Sequence, residues 1–132
     1  DHALSMADDD NMSDVWYNIG HIGVALGDLG LSYQAFKVAV SVDSNHSEAL
    51  NNIAVLETRR MKIDLARICL SSSVVGGPHL FEPMFNSALM AYRAGDFQDA
   101  YLYISKAIKV CPGHSESKEL LNVLKNQFAL ST

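Results

Sequence analysis

The residue types that most often carry chemistry in proteins are present in this chain, but their spacing fits no catalytic or metal-binding motif. A zinc site needs His or Cys ligands at close and regular spacing, and a dinucleotide loop needs G-x-G-x-x-G after a strand. The five histidines are scattered, the glycines between 20 and 30 lack that spacing, and no G-x-S-x-G nucleophile motif occurs. The two cysteines, Cys69 and Cys111, have no CxxC spacing, which favours reduced thiols of the cytosol. These observations predict a protein that is not an enzyme, with no cofactor and no metal.

Three asparagines offer a different chemistry, because they recur 34 residues apart. A carboxamide both donates and accepts hydrogen bonds, so a row of them can bind the backbone of an extended peptide. Contacts with neighbouring helices explain the same asparagines equally simply. The candidate groove combines them with the residues around them: Asn18, His21, Asn52, Val55, Asn86 and Leu89.

Charged residues follow the same spacing. Four acids recur at 34 residues, namely Asp14, Glu48, Glu82 and Glu116. Acids in the first turn of a helix are stabilised by the helix dipole.

One basic cluster stands out, formed by Arg59, Arg60, Lys62 and Arg67. Such a cluster is typical of a solvated turn, and in an acidic chain it is also our candidate for docking an acidic partner surface.

The period of 34 extends to the apolar residues, which implies a repeated structural unit. Large residues recur in two columns and small residues in two others, and no gap interrupts the register. The columns are Trp16, Leu50 and Met84; Gly20, Ala54 and Ala88; Phe36, Leu70 and Ile104; and Ala39, Ser73 and Ala107. We expect Trp16, Gly20, Phe36, Ala54, Ala88 and Pro112 to act as packing or unit-closing positions. If Trp16 is buried, its truncation to alanine is expected to cost on the order of 3 kcal/mol.

Spacings of three and four between large and small residues indicate paired helices, so each unit is predicted to be a helical hairpin. The predicted helices span 14–27, 30–42, 47–60, 63–74, 81–94, 97–110 and 115–129. The Ser- and Gly-rich stretch after residue 70 predicts that the fourth of these helices ends early, at Gly76. The predicted organisation is the tail of a preceding repeat and a turn at 1–12, with His2 to Ala7 as that tail; repeats at 13–46, 47–80 and 81–114; and a capping helix at 115–132. We also expect an exposed or self-associating N-terminal edge.

Composition limits the partners. The net charge of −5 and a pI near 5.4 disfavour nucleic acid and anionic membrane surfaces as ligands. The apolar runs are far shorter than the roughly 18 residues of a membrane span, so no direct membrane insertion is expected. The chain lacks the features of a signal peptide and does not begin with Met, which suggests a piece of a longer chain.

The W-x2-I-G string, with small and large residues in the later columns, identifies the tetratricopeptide pattern, and with it an all-α tetratricopeptide-repeat α-solenoid of three hairpins and a C-terminal capping helix. The strings DVWYNIGHIGVALGD, HSEALNNIAVLETRR and PHLFEPMFNSAL closely resemble the tetratricopeptide-repeat subunits of the BBSome, the Bardet-Biedl syndrome complex, in their C-terminal repeats. This resemblance implies a non-enzymatic scaffold that contacts other BBSome subunits and, indirectly, an Arf-like small GTPase, ciliary membrane-protein cargo and intraflagellar transport. It also implies a cytoplasmic protein of the cilium, the ciliary basal body and centriolar satellites, acting in protein transport and cilium biogenesis.

Two alternatives remain at this stage. The chain can be a peptide-binding adaptor that uses the asparagine-lined concave groove. Chaperone-binding tetratricopeptide domains use lysines and arginines to clamp the carboxylate of a peptide. In this chain the same positions hold acids, Tyr17, Asn51 or Phe85 instead. Alternatively, the repeats can be the accessory part of an enzyme such as a glycosyltransferase, which only sequence outside this chain would reveal.

Overall fold

The computed structural model describes residues 9–130, and these residues form seven α-helices and no strand. The helices are α1 (Asp9–Leu26), α2 (Leu29–Val42), α3 (Ser47–Arg59), α4 (Ile63–Gly76), α5 (Phe81–Arg93), α6 (Phe97–Val110) and α7 (Ser115–Leu130). The prediction of an all-α fold is confirmed. The chain divides into two compact units, one ending at Gly77 and the other beginning at Pro78, and within each unit the helices pack against their neighbours in chain order.

A side-chain cap starts α2, and residues with a left-handed backbone follow α1, α3 and α5. The Asp28 carboxylate accepts a hydrogen bond from the Leu31 amide at the start of α2, which satisfies one of the free N–H groups of the first turn. The turns after α1 and α5 contain Gly27 and Gly95 with φ of +76° and +83°. Glycine adopts this left-handed conformation without steric cost. The corresponding turn after α3 instead holds Met61, with φ of +63°.

In the first unit, the core lies between α1, α2 and α3 and is built from the repeated columns. Phe36, Ala39, Ala49, Ile53 and Leu56 are buried together, and Trp16, Tyr17 and Tyr33 pack against them. Buried serine hydroxyls hold the helices at close range by donating to backbone carbonyls. These bonds join Ser13 to Ala39, Ser32 to Gly20 and Ser73 to Ser47, at 2.7 to 2.8 Å.

The second unit has its own core, contributed by α5, α6 and α7. Its buried residues are Met84, Ala88, Ala91, Ala100, Ile104, Ala107, Leu120 and Leu124. In α7, Leu120 and Leu124 face this core while Glu119 and Lys125 are exposed. The final helix therefore covers the preceding hairpin with an apolar face and presents a polar face to water.

Several predicted details are corrected. Helix α1 begins at Asp9, five residues before the predicted start, and His2 to Ala7 lie outside the described residues. Helix α4 ends at Gly76, two residues beyond the predicted span of 63–74. Its 14 residues match the lengths of α2 and α6, so this end is not the early one that the Ser- and Gly-rich stretch predicted. Pro112 is exposed in the turn after α6 and therefore acts as a helix terminator rather than a packing position.

The large-and-small columns are otherwise buried as predicted, with one exception. Gly20, Ala54 and Ala88 are buried, as are Phe36, Leu70 and Ile104. Trp16 is only partly buried, because among residues 9–130 no helix packs on the far side of α1. The same face of α1 leaves Met12, Val15 and Ile22 exposed, which agrees with the expected exposed N-terminal edge. Self-association through it stays a prediction.

Candidate functional site

A pocket of about 160 Å³ opens on the first unit where α1, α2 and α3 meet. Its walls are largely apolar, and three polar groups reach into it from α1 and α3. The lining residues are His21, Val24, Leu29, Phe36, Asn52, Val55, Leu56 and Arg59. A concave apolar surface with a few polar groups at its rim is suited to holding a side chain or backbone segment of another molecule.

A second pocket of about 460 Å³ adjoins the first and shares Leu29, Leu56 and Arg59 with it. Its remaining lining residues, Gly30, Tyr33, Gln34 and Arg60, come from α2 and from the end of α3. The Arg60 guanidinium lies 4.7 Å from the centroid of the Tyr33 ring, and one of its nitrogens lies 3.4 Å from Glu57 Oε1. We call these two pockets together the α1–α3 groove.

The structure brings together only part of the predicted peptide groove. His21, Asn52 and Val55 line the first pocket, as the repeat register suggested. Asn18 is exposed on α1 and is not among the residues that line this pocket, whereas Asn86 and Leu89 are partly buried on α5 of the second unit. The asparagine column therefore provides one residue, Asn52, to the α1–α3 groove.

The predicted basic cluster is also divided. Arg59 and Arg60 lie at the end of α3 and line the groove, Lys62 immediately precedes α4, and Arg67 is partly buried within α4. Three of the four cations thus lie at or beside one turn, and Arg67 lies on the helix that follows it. The group at 59–62 occupies a turn, as the simpler interpretation of the sequence proposed.

His46 has a structural role that joins two helices of the first unit. Its Nδ1 accepts a hydrogen bond from the Ala49 amide at 3.2 Å, and its Nε2 lies 2.9 Å from Asp14 Oδ1. With Nδ1 as acceptor, Nε2 carries the proton and donates to the carboxylate.

Because α1 begins at Asp9, Asp14 is not in the first turn, and the expectation from the helix dipole is wrong for this one acid. Glu48, Glu82 and Glu116 do lie in first turns.

Replacing His46 with alanine is expected to lower the free energy of unfolding by about 1–2 kcal/mol, since a helix cap and a partly buried interhelical hydrogen bond are lost together. Asp14→Asn is the matched control. It retains an acceptor oxygen at an exposed position and should cost less than about 0.5 kcal/mol. Urea unfolding followed by circular dichroism measures both, and equal losses in the two variants would contradict this role for the cap.

The sequence did not reveal two buried polar residues of α3. Asn51 and Glu57 are 3% and 2% exposed, and Glu57 occupies the repeat position that Gly23 and Ala91 fill elsewhere. Burial raises the pKa of the neighbouring Cys69 thiol, and the charge of Glu57 raises it further while Lys37 opposes the shift. Cys69 is thus held as a neutral thiol, which is a poor nucleophile. The only signal in the sequence was Glu57 itself, a large residue at a repeat position where the other two repeats have the small residues Gly23 and Ala91.

Within residues 9–130, no group of three His, Cys, Asp or Glu residues is placed to hold a metal ion. Over the same range, no helix has the length and apolar character that a membrane span requires.

The fold defines the class of protein. The chain is an all-α tetratricopeptide-repeat solenoid, and it superposes on the first such domain of Spaghetti (RPAP3) bound to an HSP90 peptide with a TM-score of 0.81, 12% identity, and coverage of 91% of this chain and 98% of that one. The Yersinia enterocolitica secretion chaperone SycD, in complex with a YopD peptide, gives a TM-score of 0.76 with 14% identity, over 86% of this chain and 92% of that one. At these identities the likeness concerns the fold alone.

Sequence comparison gives a closer relationship. The chain is 39% identical to tetratricopeptide repeat protein 8 of Homo sapiens over 129 residues, and 41% identical to that of Caenorhabditis elegans over 123 residues, which are 97% and 93% of this chain. It spans about a quarter of the length of each relative, 24% in both cases. No protein-family model matches the chain. This chain is therefore related to tetratricopeptide repeat protein 8 across a region of tetratricopeptide repeats, which confirms the tetratricopeptide pattern recognised in the sequence.

Proposed function

We propose that this chain is a non-enzymatic protein-interaction scaffold and forms the C-terminal repeats of a BBSome-type subunit. The observation that carries the proposal is the 39% identity to tetratricopeptide repeat protein 8 over nearly the whole chain. The match covers 97% of this chain and therefore includes both compact units. In this role the repeats hold neighbouring subunits of a complex that moves membrane proteins to and from cilia.

The mechanism of such a scaffold is geometric. Serine hydroxyls that donate to carbonyls of adjacent helices, such as Ser32 to Gly20 at 2.8 Å, fix the helices at close range. Rigid hairpins then present side chains without a large loss of conformational entropy on binding. Affinity would come from a few buried aromatic and aliphatic anchors, with surrounding polar contacts setting specificity.

The test is purification of the tagged full-length protein from ciliated cells, with quantitative mass spectrometry of what accompanies it. We expect the other BBSome subunits in near-equal amounts, with an Arf-like GTPase and intraflagellar transport proteins as weaker partners. A variant that unfolds the second core, Ile104→Asp, supplies the control and should release them. Recovery of the folded wild-type protein without those subunits would contradict the proposal.

A second candidate function is a peptide-binding adaptor, and the α1–α3 groove specifically favours it. Asn52 can pair with a peptide backbone, Val55 and Leu56 offer apolar contact, and Arg59 can meet an acidic group. Each polar contact contributes only about 1 kcal/mol net, so binding of a single peptide would be weak.

Calorimetric titration of candidate cargo tails separates the two functions. Groove binding should fall at least about tenfold in an Asn52→Ala/Arg59→Ala variant, a loss of about 1.4 kcal/mol. Asn86→Ala, at the same repeat position in the second unit, is the control. Subunit assembly that survives the double substitution would assign assembly to other faces of the molecule.

A further inference from the structure

Met61 departs from the repeat pattern, and this departure lowers the stability of the fold. It has φ of +63°, a left-handed conformation, where the equivalent residues of the other two repeats are Gly27 and Gly95. A side chain with a Cβ is strained there, and glycine is not. Its side chain is 80% exposed, so it is not retained for packing within the described chain. A strained and exposed apolar residue points to a role outside the fold.

Helix α4, which follows Met61, carries further exposed apolar residues. Leu65, Ile68 and Val75 are 48%, 63% and 82% exposed, and their spacings of three and seven place them on one face of the helix. Met61 lies in the turn two residues before this helix begins at Ile63, and it is also exposed. We call Met61, Leu65, Ile68 and Val75 the α4 surface.

The other repeats lack this surface. At the four equivalent positions the first repeat has Gly27, Leu31, Gln34 and Ser41, and the third has Gly95, Asp99, Leu102 and Lys109. The repeat fold therefore does not require apolar residues at these positions. The first repeat exposes one large apolar residue at these positions, Leu31, and the third exposes one, Leu102, whereas the second repeat exposes four. Four such residues together are the pattern of an interaction site rather than of scattered exposed residues.

The charges beside the α4 surface indicate the chemistry of its partner. Arg59 and Lys62 lie within two residues of Met61, are exposed, and form no ion pair with any residue between 9 and 130. Arg60 is also exposed, although it contacts Glu57 and Tyr33. Asp64 is the one acid at the start of α4. The end of the α4 surface near this turn is therefore cationic, in a chain with a net charge of −5.

We propose that the α4 surface binds an amphipathic helix of a partner protein, whose acidic residues meet the turn at 59–62. An apolar stripe along one helix pairs most naturally with a second helix that carries apolar residues at i, i+3, i+4 and i+7. Opposite charge at one end sets the direction in which that helix lies and speeds its encounter. The proposal rests on the scaffold function and names one of the surfaces through which it acts.

The test uses a synthetic 18-residue stapled helix with leucines at those spacings and three glutamates at one end, titrated by fluorescence anisotropy against the 132-residue chain. We expect the dissociation constant to rise at least about tenfold in Ile68→Lys and in Arg59→Glu/Lys62→Glu. Leu102→Lys, at the equivalent position of the third repeat, should change it less than about twofold. The same peptide with lysines in place of the glutamates should bind at least about tenfold more weakly.

Met61→Gly separates binding from folding in the same assay. It should raise the melting temperature by about 2–5 °C because the backbone strain is relieved, while it weakens binding of the glutamate peptide several-fold. Binding that is equal for the two peptides, or equally reduced by Leu102→Lys and Ile68→Lys, would overturn the proposal. Sedimentation that shows a dimer abolished by Ile68→Lys would assign this surface to a second copy of the chain instead.

Failure of this proposal is distinguishable from failure of the scaffold function. A benzoylphenylalanine placed at residue 68 of the full-length protein in ciliated cells should cross-link to a helical, acidic segment of a co-purifying subunit, and the same label at residue 102 should not. If the subunits co-purify but no such cross-link forms, the scaffold function stands and the assignment of the α4 surface is wrong.

Discussion

Replacing Phe36 with alanine will lower the free energy of unfolding by about 3–5 kcal/mol, the largest effect expected of any single truncation in the first unit. Phe36 is 1% exposed and lies at the centre of the buried cluster between α2 and α3. Its ring also lies 5.8 Å from those of Tyr17 and His21 on α1. Truncation leaves a cavity among three helices that cannot all close around it, because buried serine hydrogen bonds fix their spacing.

Trp16→Ala provides the comparison for this experiment. Trp16 is larger than Phe36 but only partly buried, so its loss should cost about 1–2 kcal/mol. Chemical denaturation monitored at 222 nm, with the slope checked for a change in cooperativity, measures both variants. A larger loss at Trp16 than at Phe36 would mean that the tryptophan is covered in solution, as happens if copies of the chain associate through α1.

Gly23→Ala is expected to destabilise the chain by about 2 kcal/mol, although alanine is the better helix former by about 1 kcal/mol. An added Cβ would lie 2.5 Å from Ser32 Oγ and 2.9 Å from the Ser32 backbone nitrogen. The Ser32 backbone nitrogen cannot rotate away from the added Cβ as a side chain can, so α1 and α2 must move apart. That movement stretches the hydrogen bond from Ser32 Oγ to the Gly20 carbonyl.

Gly30→Ala tests whether steric contact is the cause. The nearest atom to an added Cβ there is Asp28 Oδ1 at 3.6 Å, an ordinary contact, so this change should be neutral or stabilise by up to about 0.5 kcal/mol. Thermal unfolding of the two variants at equal concentration gives the comparison. If both glycine variants lose stability to the same extent, close approach of the helices is not the reason for Gly23.

The sequence predicted the helices and the core because both depend on spacing. The period of 34 placed large residues such as Phe36 and Ile104 and small ones such as Ala88 in columns, and tertiary packing follows those columns. The start of α1 was harder to predict. An acid at position 14 looks the same in the sequence whether it lies in a first turn and interacts with the helix dipole or, as here, accepts a hydrogen bond from His46, the N-cap residue of α3. Local signals do not distinguish these roles.

The candidate site was predictable only in part, because exposure depends on which neighbours are present. His21, Asn52 and Val55 share a pocket as expected, while Asn18 is not part of its lining. Residue preferences could not predict the left-handed conformation of Met61, because methionine disfavours that conformation. Only comparison with Gly27 and Gly95, at the same position of the repeat, draws attention to it.

The packing of each helix against its neighbours in chain order has a kinetic consequence. In both units, the extensive contacts join helices that follow one another directly along the chain, such as α1 with α2 and α6 with α7. Closing the short loops between them sacrifices little chain entropy before native contacts form. We expect low relative contact order and refolding on the order of microseconds to milliseconds, measurable by temperature jump. A newly synthesised hairpin would thus acquire its structure much faster than the ribosome adds the next one, at about 5–20 residues per second.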